Sequence, residues 1–479
     1  MLTLSEYMDM DAVTLARGIR SKEFSCAEVT ACAIQRAQNT NPAINAIVTE
    51  NYDHASEQAR RIDVDSSLLD KSQLAGLPFL IKDLSMVKGL RAGFGSRLFD
   101  HYIAHRSSNI VQKYLDAGLV IIGTTNTPEK GLTITTEPLA NGACRNPWNI
   151  EYSSGGSSGG AAAAVAAAVI PVAHATDGGG SIRIPASVCG LFGLKPSRGL
   201  TTIENTLGES WSGMSVGHVV SQTVGDSTAF LDLIRIDEPN LYAMPPSPRS
   251  FYEAIKPEPG QLRIAVQLAQ PMDQPLDKDC IDAVQKAAQL CESLGHSIEE
   301  VTHPVAYQPV VSAMARIMNI HVYQALNGRL EELNLSLEDS PLEASTRLMV
   351  KNGGKLSATD YLAARDLVKD AEREMSRFHR NYDVIISPVL SKTPARIGWL
   401  DMNSDDMKQY TARFKAYSGF TALYNGTGQP SMSMPLHQTA DGLPVGVMFT
   451  GAWGADALLL RLARQIEQAS PWPRYSNRL

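Results

Sequence analysis

Gly178, Gly179 and Gly180 run directly into Ser181. Glycine lets a backbone come close to a ligand, and successive exposed N–H groups can cradle a negative oxygen. A serine at the end of such a nest has what acyl transfer needs: a nucleophile beside donors aimed at the developing oxyanion. Read alone, a tight turn in which Ser181 satisfies a neighbouring carbonyl is the simpler account. A serine nucleophile also needs a base. His174 lies seven residues upstream and reads as a structural residue between a helix and a strand. Lys82 closes the apolar run "LPFLI". Lysine serves as a base only when neutral, a form that burial favours. Read alone, Lys82 is a strand-end lysine that snorkels to water. Asp83, next along an extended chain, points to the other face.

The stretch "SSGGSSGGAAAAVAAAV" (153–169) admits a linker or a nucleophile elbow, since GxSxG occurs there twice around Ser157 and Ser158. The elbow requires a hydrophobic strand just before it, and "RNPWNIEY" is not one. Ala161–Val169 instead spells a helix with almost no side-chain bulk, able to pack tightly against its neighbours.

Stepping outward, the elements that must hold these residues alternate. Residues 77–81 read as a buried strand, 109–117 as a helix ending at Gly118, and "LVIIG" as another strand. Strand, helix and strand at this pace predict a parallel unit. The pattern returns in 262–267, in a helix over 278–294 with Ile281, Val284, Ala288, Cys291 and Leu294 on one side, and in 382–389. "LPVGVMFTG" followed by "DALLLRLARQIEQ" closes the chain as strand then helix. The first sixty residues read as helices, with Ser25 and Glu28 in a capping-box pattern. The economical reading is one α/β domain over 1–479. Within it lie a helical N-terminal region (1–65), a chemistry-bearing core (70–220) and a helical insertion (300–380).

The 479 residues are 44% hydrophobic and 19% charged, with a formal net charge of −7. Such a balance is globular, and it argues against nucleic acid or an anionic membrane as the main partner. The apolar run at 161–173 is broken by Pro171 and is too short to span a bilayer, which needs about 20 residues. No secretion signal is read at the N-terminus. Cys26, Cys32, Cys144, Cys189, Cys280 and Cys291 show no metal spacing and read as reduced, mostly buried thiols, so a cytoplasmic protein without a metal is expected.

Together the blocks "GLPFLIKDL", "GTTNTPE", "RNPWN", "SSGGSSGGAAAAVAAA" and "TDGGGSIRIPASVCGLFGLKP" resemble the amidase signature family, densely over about 70–220 and more loosely over the last sixty residues. The branch they resemble most is that of 6-aminohexanoate cyclic dimer hydrolase-like enzymes. The resemblance implies a large mixed, twisted central β-sheet flanked by helices on both faces. It implies Ser181 as nucleophile, Ser157 after a cis peptide as bridging serine, Lys82 as base, and the amides of Gly178, Gly179, Gly180 and Ser181 as oxyanion hole. Asp177 and Arg183 fall at loop-shaping positions. The activity implied is hydrolysis of a small linear or cyclic amide through an acyl-enzyme, without cofactor, by a chain that is expected to form a homodimer. Leu84 and Ala161 depart from the family pattern, which often has Asn and Ser there. The pocket is expected between 131–136 and the variable 300–350 segment, with Gly131, Thr135 and Met318 as substrate contacts. For Met314, Met318 and Val322, core packing is the plain reading, expected to hold for at least two of them. Rival functions are an amidotransferase subunit acting on mischarged tRNA with partner proteins, an α/β-hydrolase-type esterase, and a catalytically silent binding protein.

Overall fold

The computed structural model describes residues 2–203, 210–236 and 241–474. Helices α1 (Leu4–Asp9), α2 (Ala12–Ser21), α3 (Cys26–Ile44) and α4 (Tyr52–Val64) form the N-terminal region. The Ser25–Glu28 capping box opens α3 as expected. A short strand, β1 (Ile47–Glu50), interrupts this region. Its four residues are too few to show a period against helical flanks, so the all-helical reading is corrected here. The predicted parallel unit follows as β2 (Pro78–Lys82), α5 (Asn109–Asp116) and β3 (Val120–Thr125). Strand β3 pairs on its other side with β1, giving the order β1-β3-β2.

Next come a two-stranded ribbon, β4 (Arg145–Asn146) and β5 (Asn149–Ser153), then α6 (Gly159–Ala166), β6 (Val172–Asp177), α7 (Arg183–Cys189), β7 (Phe192–Lys195), β8 (Val216–Ser221), α8 (Val224–Ile234) and α9 (Phe251–Ala254). After these the chain runs through β9 (Arg263–Val266), α10 (Lys278–Ser293), β10 (Ser297–Glu300), α11 (Tyr307–Glu332), α12 (Ala344–Gly353) and α13 (Ala358–Phe378). It closes with β11 (Val384–Pro388), α14 (Met407–Tyr417), α15 (Leu423–Gly426), β12 (Ser431–Gln438), β13 (Pro444–Gly451) and α16 (Asp456–Ala469). Eight strands form a mixed sheet in the order β10-β9-β11-β13-β12-β7-β8-β6. β9 runs parallel to β10 and β11, while the remaining pairs are antiparallel.

Both faces of this sheet are covered. Successive residues face opposite sides of a strand, and they sort into two cores. Ile264, Val266, Val384, Ile386, Val447 and Phe449 pack with residues of α10 and α16. Ala265, Ile385 and Met448 pack with α6, α7, α11 and α13. On α10 the buried face is Cys280, Ala283, Val284, Ala287 and Cys291. Ile281, Ala288 and Leu294 are only half-buried, so the helix is rotated from the predicted stripe toward its smaller residues.

Every residue of α6 is buried. A side chain at Gly160 would place its Cβ 2.3 Å from the Asn126 nitrogen, so the bare helix sits where a bulkier one could not. All six cysteines are free and buried. Burial pushes the thiols of Cys26, Cys144, Cys280 and Cys291 up to about 12. Among the described residues no helix is long and apolar enough to cross a membrane.

Candidate active site

Strand β2 is buried along its whole length and lies against the edge strand β6. The Lys82 backbone N–H donates to His174 Nδ1 of β6 at 3.3 Å, so His174 joins two sheet edges, the structural role its position suggested. The strand therefore ends inside the molecule, and Lys82 is 0% exposed. The snorkelling reading is overturned, because the strand end faces β6 rather than water. Lys82 Nζ lies 2.7 Å from Ser157 Oγ, 2.8 Å from Ser158 Oγ and 3.0 Å from Thr176 Oγ1. Asp83 turns away and accepts the Gly93 N–H at 3.1 Å; burial raises its carboxyl to about 7.

The turn before α6 brings the two serines to the lysine. The Gly156–Ser157 peptide is cis. Gly156 presses on the backbone of Thr135, where a Cβ would come within 2.6 Å of the Thr135 oxygen. Ser158 fastens the turn to β6: its hydroxyl donates to Thr176 O at 3.2 Å and accepts the Thr176 N–H at 3.3 Å. The strand before this turn belongs to the largely exposed β4–β5 ribbon, not to the central sheet, so the elbow geometry is absent.

Asp177, at the end of β6, organises the glycine loop. Its carboxylate accepts N–H groups from Gly180 at 2.7 Å and Ile182 at 3.1 Å. Arg183 grips it with two bonds of 2.9 Å, and Asn425 donates to it at 2.9 Å. Both charges are fully buried. Burial would raise the Asp177 carboxyl, but the Arg183 charge and these hydrogen bonds outweigh it and hold the group below the usual carboxylate range. One expectation is corrected here. The Gly180 N–H is committed to Asp177, and Gly180 (φ +136) has its Cβ position filled by Thr421 and Ile184. Gly178, Gly179 and Ser181 line the cavity; Gly180 does not. Ser181 is 8% exposed, and its carbonyl accepts the Ser158 N–H at 3.3 Å. Lys82 and Ser157 are thus joined directly, and Ser181 is tethered through its backbone. The Ser157 and Ser181 hydroxyls are not hydrogen-bonded to each other, a link that often tightens only when substrate is bound.

The amidase family model matches residues 28–460. The chain belongs to the amidase family. It is 34% identical to the 6-aminohexanoate-cyclic-dimer hydrolase of Paenarthrobacter ureafaciens, over 96% of this chain and 95% of that one. A solved structure of a 6-aminohexanoate cyclic dimer hydrolase with substrate superposes with a TM-score of 0.88 at 31% identity, over 97% of this chain and 98% of the other. A bacterial aryl acylamidase structure follows with a TM-score of 0.87 at 25% identity, over 97% of each chain. The fold is the amidase signature fold, and the chain is an amidase, a hydrolase of carbon–nitrogen amide bonds.

The amidase's Ser181 opens on a cavity of about 330 Å³, within the usual range for small-molecule sites. Gly131 and Met318 line it as expected, but Thr135 does not. Thr135 is buried behind the wall, its hydroxyl donating to Leu400 O at 3.4 Å, while its neighbours Thr133 and Ile134 face the cavity. The packing of Gly156 on its backbone explains the displacement. Met314 and Met318 both line the cavity, and only Val322 is purely core. Met314 and Val322 are nonetheless buried in core clusters, so core packing holds for two of the three as expected, and Met314 borders the cavity as well. Sequence reasoning missed Trp211 and the wall of α14, where Met407, Tyr410, Thr411 and Phe414 face the site. Their i, i+3, i+4, i+7 spacing marks an apolar face, though not what that face looks onto.

Proposed function

We propose that this amidase cleaves a small, largely uncharged linear or cyclic amide through an acyl-enzyme on Ser181. The observation that carries the reading is the contact of 2.7 Å between buried Lys82 Nζ and Ser157 Oγ, beside a serine set in a glycine loop. Neutral Lys82 takes the Ser157 proton as Ser157 takes that of Ser181. Ser181 Oγ attacks the amide carbon, and the oxyanion gathers N–H donors from Gly178, Gly179 and Ser181. The tetrahedral intermediate collapses, the C–N bond breaks, and the proton returns by the same route to the leaving amine. Water then attacks the acyl ester, loses its proton along the same path, and releases the acid.

The lining supports the substrate class. Six methionines, Trp211 and Phe414 dominate it; among the described residues no carboxylate lines it, and Lys415 is the one charged residue. An acyl chain or ring of methylene groups suits such walls. Similarity to an enzyme named for the cyclic dimer of 6-aminohexanoate supports cyclic amides among the substrates. Six free buried thiols support a reducing, cytoplasmic setting. The test is intact mass after a fluorophosphonate probe, with peptide mapping of the label. A single adduct on Ser181 is expected; an adduct on Ser157 would overturn the assignment.

A further inference from the structure

Trp211 and Ser212 are both left-handed (φ +50 and +56), and Gly213 continues the turn (φ +79). Non-glycine residues adopt this conformation only where surrounding structure enforces it, and such residues cluster at functional sites. The enforcement is visible on two sides. On one side Ser212, 4% exposed, has its Oγ 2.9 Å from His321 Nε2 of α11 and 2.8 Å from Tyr361 Oη of α13. Arg365 Nη1 donates to the same Tyr361 oxygen at 3.0 Å. Arginine has no acceptor, so Arg365 is the donor to Tyr361 and anchors the chain of bonds that runs through Tyr361 and Ser212 to His321. On the other side Asn425, which also holds Asp177, donates to Met214 O at 3.0 Å, and Arg198 Nε donates to Gly213 O at 2.9 Å.

This turn delivers the Trp211 indole to one place. Its Cζ3 and Cε3 atoms lie 2.7 and 2.9 Å from where a Cβ of Gly178 would stand. The ring is therefore pressed against the first of the three loop residues that line the cavity, and Trp211 lines the same cavity. His321 sits seven residues after Met314 and three after Met318. On a helix that is the same side, and both methionines face the substrate space.

We propose that Ser212, held by His321 and Tyr361, is a positioning residue for the oxyanion donors: it latches Trp211 onto Gly178 and so links the helical wall to the glycine loop. A substrate that seats against Met314 and Met318 thereby steadies the donors it will use in the tetrahedral state. The inference rests on Ser181 being the nucleophile.

The experiment compares kcat, KM and the inhibition constant of an alkyl boronic acid, which forms a tetrahedral adduct on a serine. Ser212→Ala is expected to lower kcat about fivefold, the scale of one lost buried hydrogen bond, with KM within about twofold. The boronate constant should rise by the same factor as kcat falls. Ser212→Gly, which accepts the left-handed backbone without a hydroxyl, should behave like Ser212→Ala. Tyr361→Phe should give a smaller loss of the same kind, and it carries the test if Ser212→Ala fails to fold. A change in KM alone, or unchanged boronate affinity, overturns the latch. If Ser181→Ala keeps full activity, the nucleophile reading falls instead. If Ser181 is essential while the latch variants run at wild-type rates, only the latch falls.

Discussion

The two sides of the cavity are built by different physics. Its floor, from Lys82 through Ser157 and Ser158 to the Asp177–Arg183 loop, is polar, buried and tied by hydrogen bonds of 2.7–3.3 Å. Its roof, from α11, α12 and α14, is methionine-rich and mostly apolar. Directional bonds fix atoms to fractions of an ångström, which proton transfer requires. Dispersion contacts from flexible thioethers fix only a shape. In the proposed mechanism the floor therefore sets the reaction, and the roof sets which amide reaches it.

The largest test of this division removes the floor's chemistry. Ser181→Ala should lower amide hydrolysis by roughly 10³-fold or more, and Lys82→Ala should leave only a very small rate at neutral pH, each read by product assay. Asp177→Asn should come next. It leaves the Arg183 charge buried without its partner, a change that costs about 3–5 kcal/mol, measured by urea unfolding. Roof changes should be milder. Met318→Ala or Met314→Ala should alter KM by about 3- to 10-fold across acyl chains of different length, the scale of a methylene or two in an apolar pocket, with kcat for the best substrate nearly kept. Loss of kcat with KM unchanged would blur the division.

The last test concerns the seam between the two sides. Glu137 accepts the Gly398 N–H at 2.6 Å, and Glu343 accepts the Leu139 N–H at 2.9 Å. Burial raises both carboxyls to about 7. The native state thus holds protons that the unfolded chain has lost, so stability falls as pH rises from about 4.5 to about 7 and levels off above that. A lowered carboxyl such as Asp177 works in the opposite sense: its contribution is present above the unfolded value near 4 and is lost as pH falls further. Thermal unfolding across pH 4.5–8 should show a decline of about 3 kcal/mol per seam group. A midpoint that climbs over that window would remove the seam.

The same contrast explains what was legible in the sequence. Floor residues announce themselves locally: a glycine run into Ser181, paired serines between glycines, a lysine closing an apolar strand. Even so, local pattern favoured an exposed Lys82, and the family resemblance counted Gly180 among the donors. Burial at a strand end depends on β6, distant in the chain, and the Gly180 N–H was taken by Asp177, a side chain only three residues away. The part of the roof within 300–380 was legible as helical but not as a surface, and α14 lay outside that reading. Met314 and Val322 carry the same amphipathic signal and both join core clusters, yet only Met314 also borders the cavity. Thr135 shows the converse, since a bend in the chain at 133–135 turns it from the cavity to the Leu400 carbonyl.

The buried thiols have a practical consequence. Burial raises four of them to about 12 and holds Cys189 well above the ordinary thiol value, so almost no thiolate exists at these sites in the native molecule to meet an alkylating reagent. Labelling can then proceed only through transient opening. The cysteines act as built-in clocks, and isotope-coded alkylation read peptide by peptide would time the breathing of separate parts of this enzyme without any engineered probe.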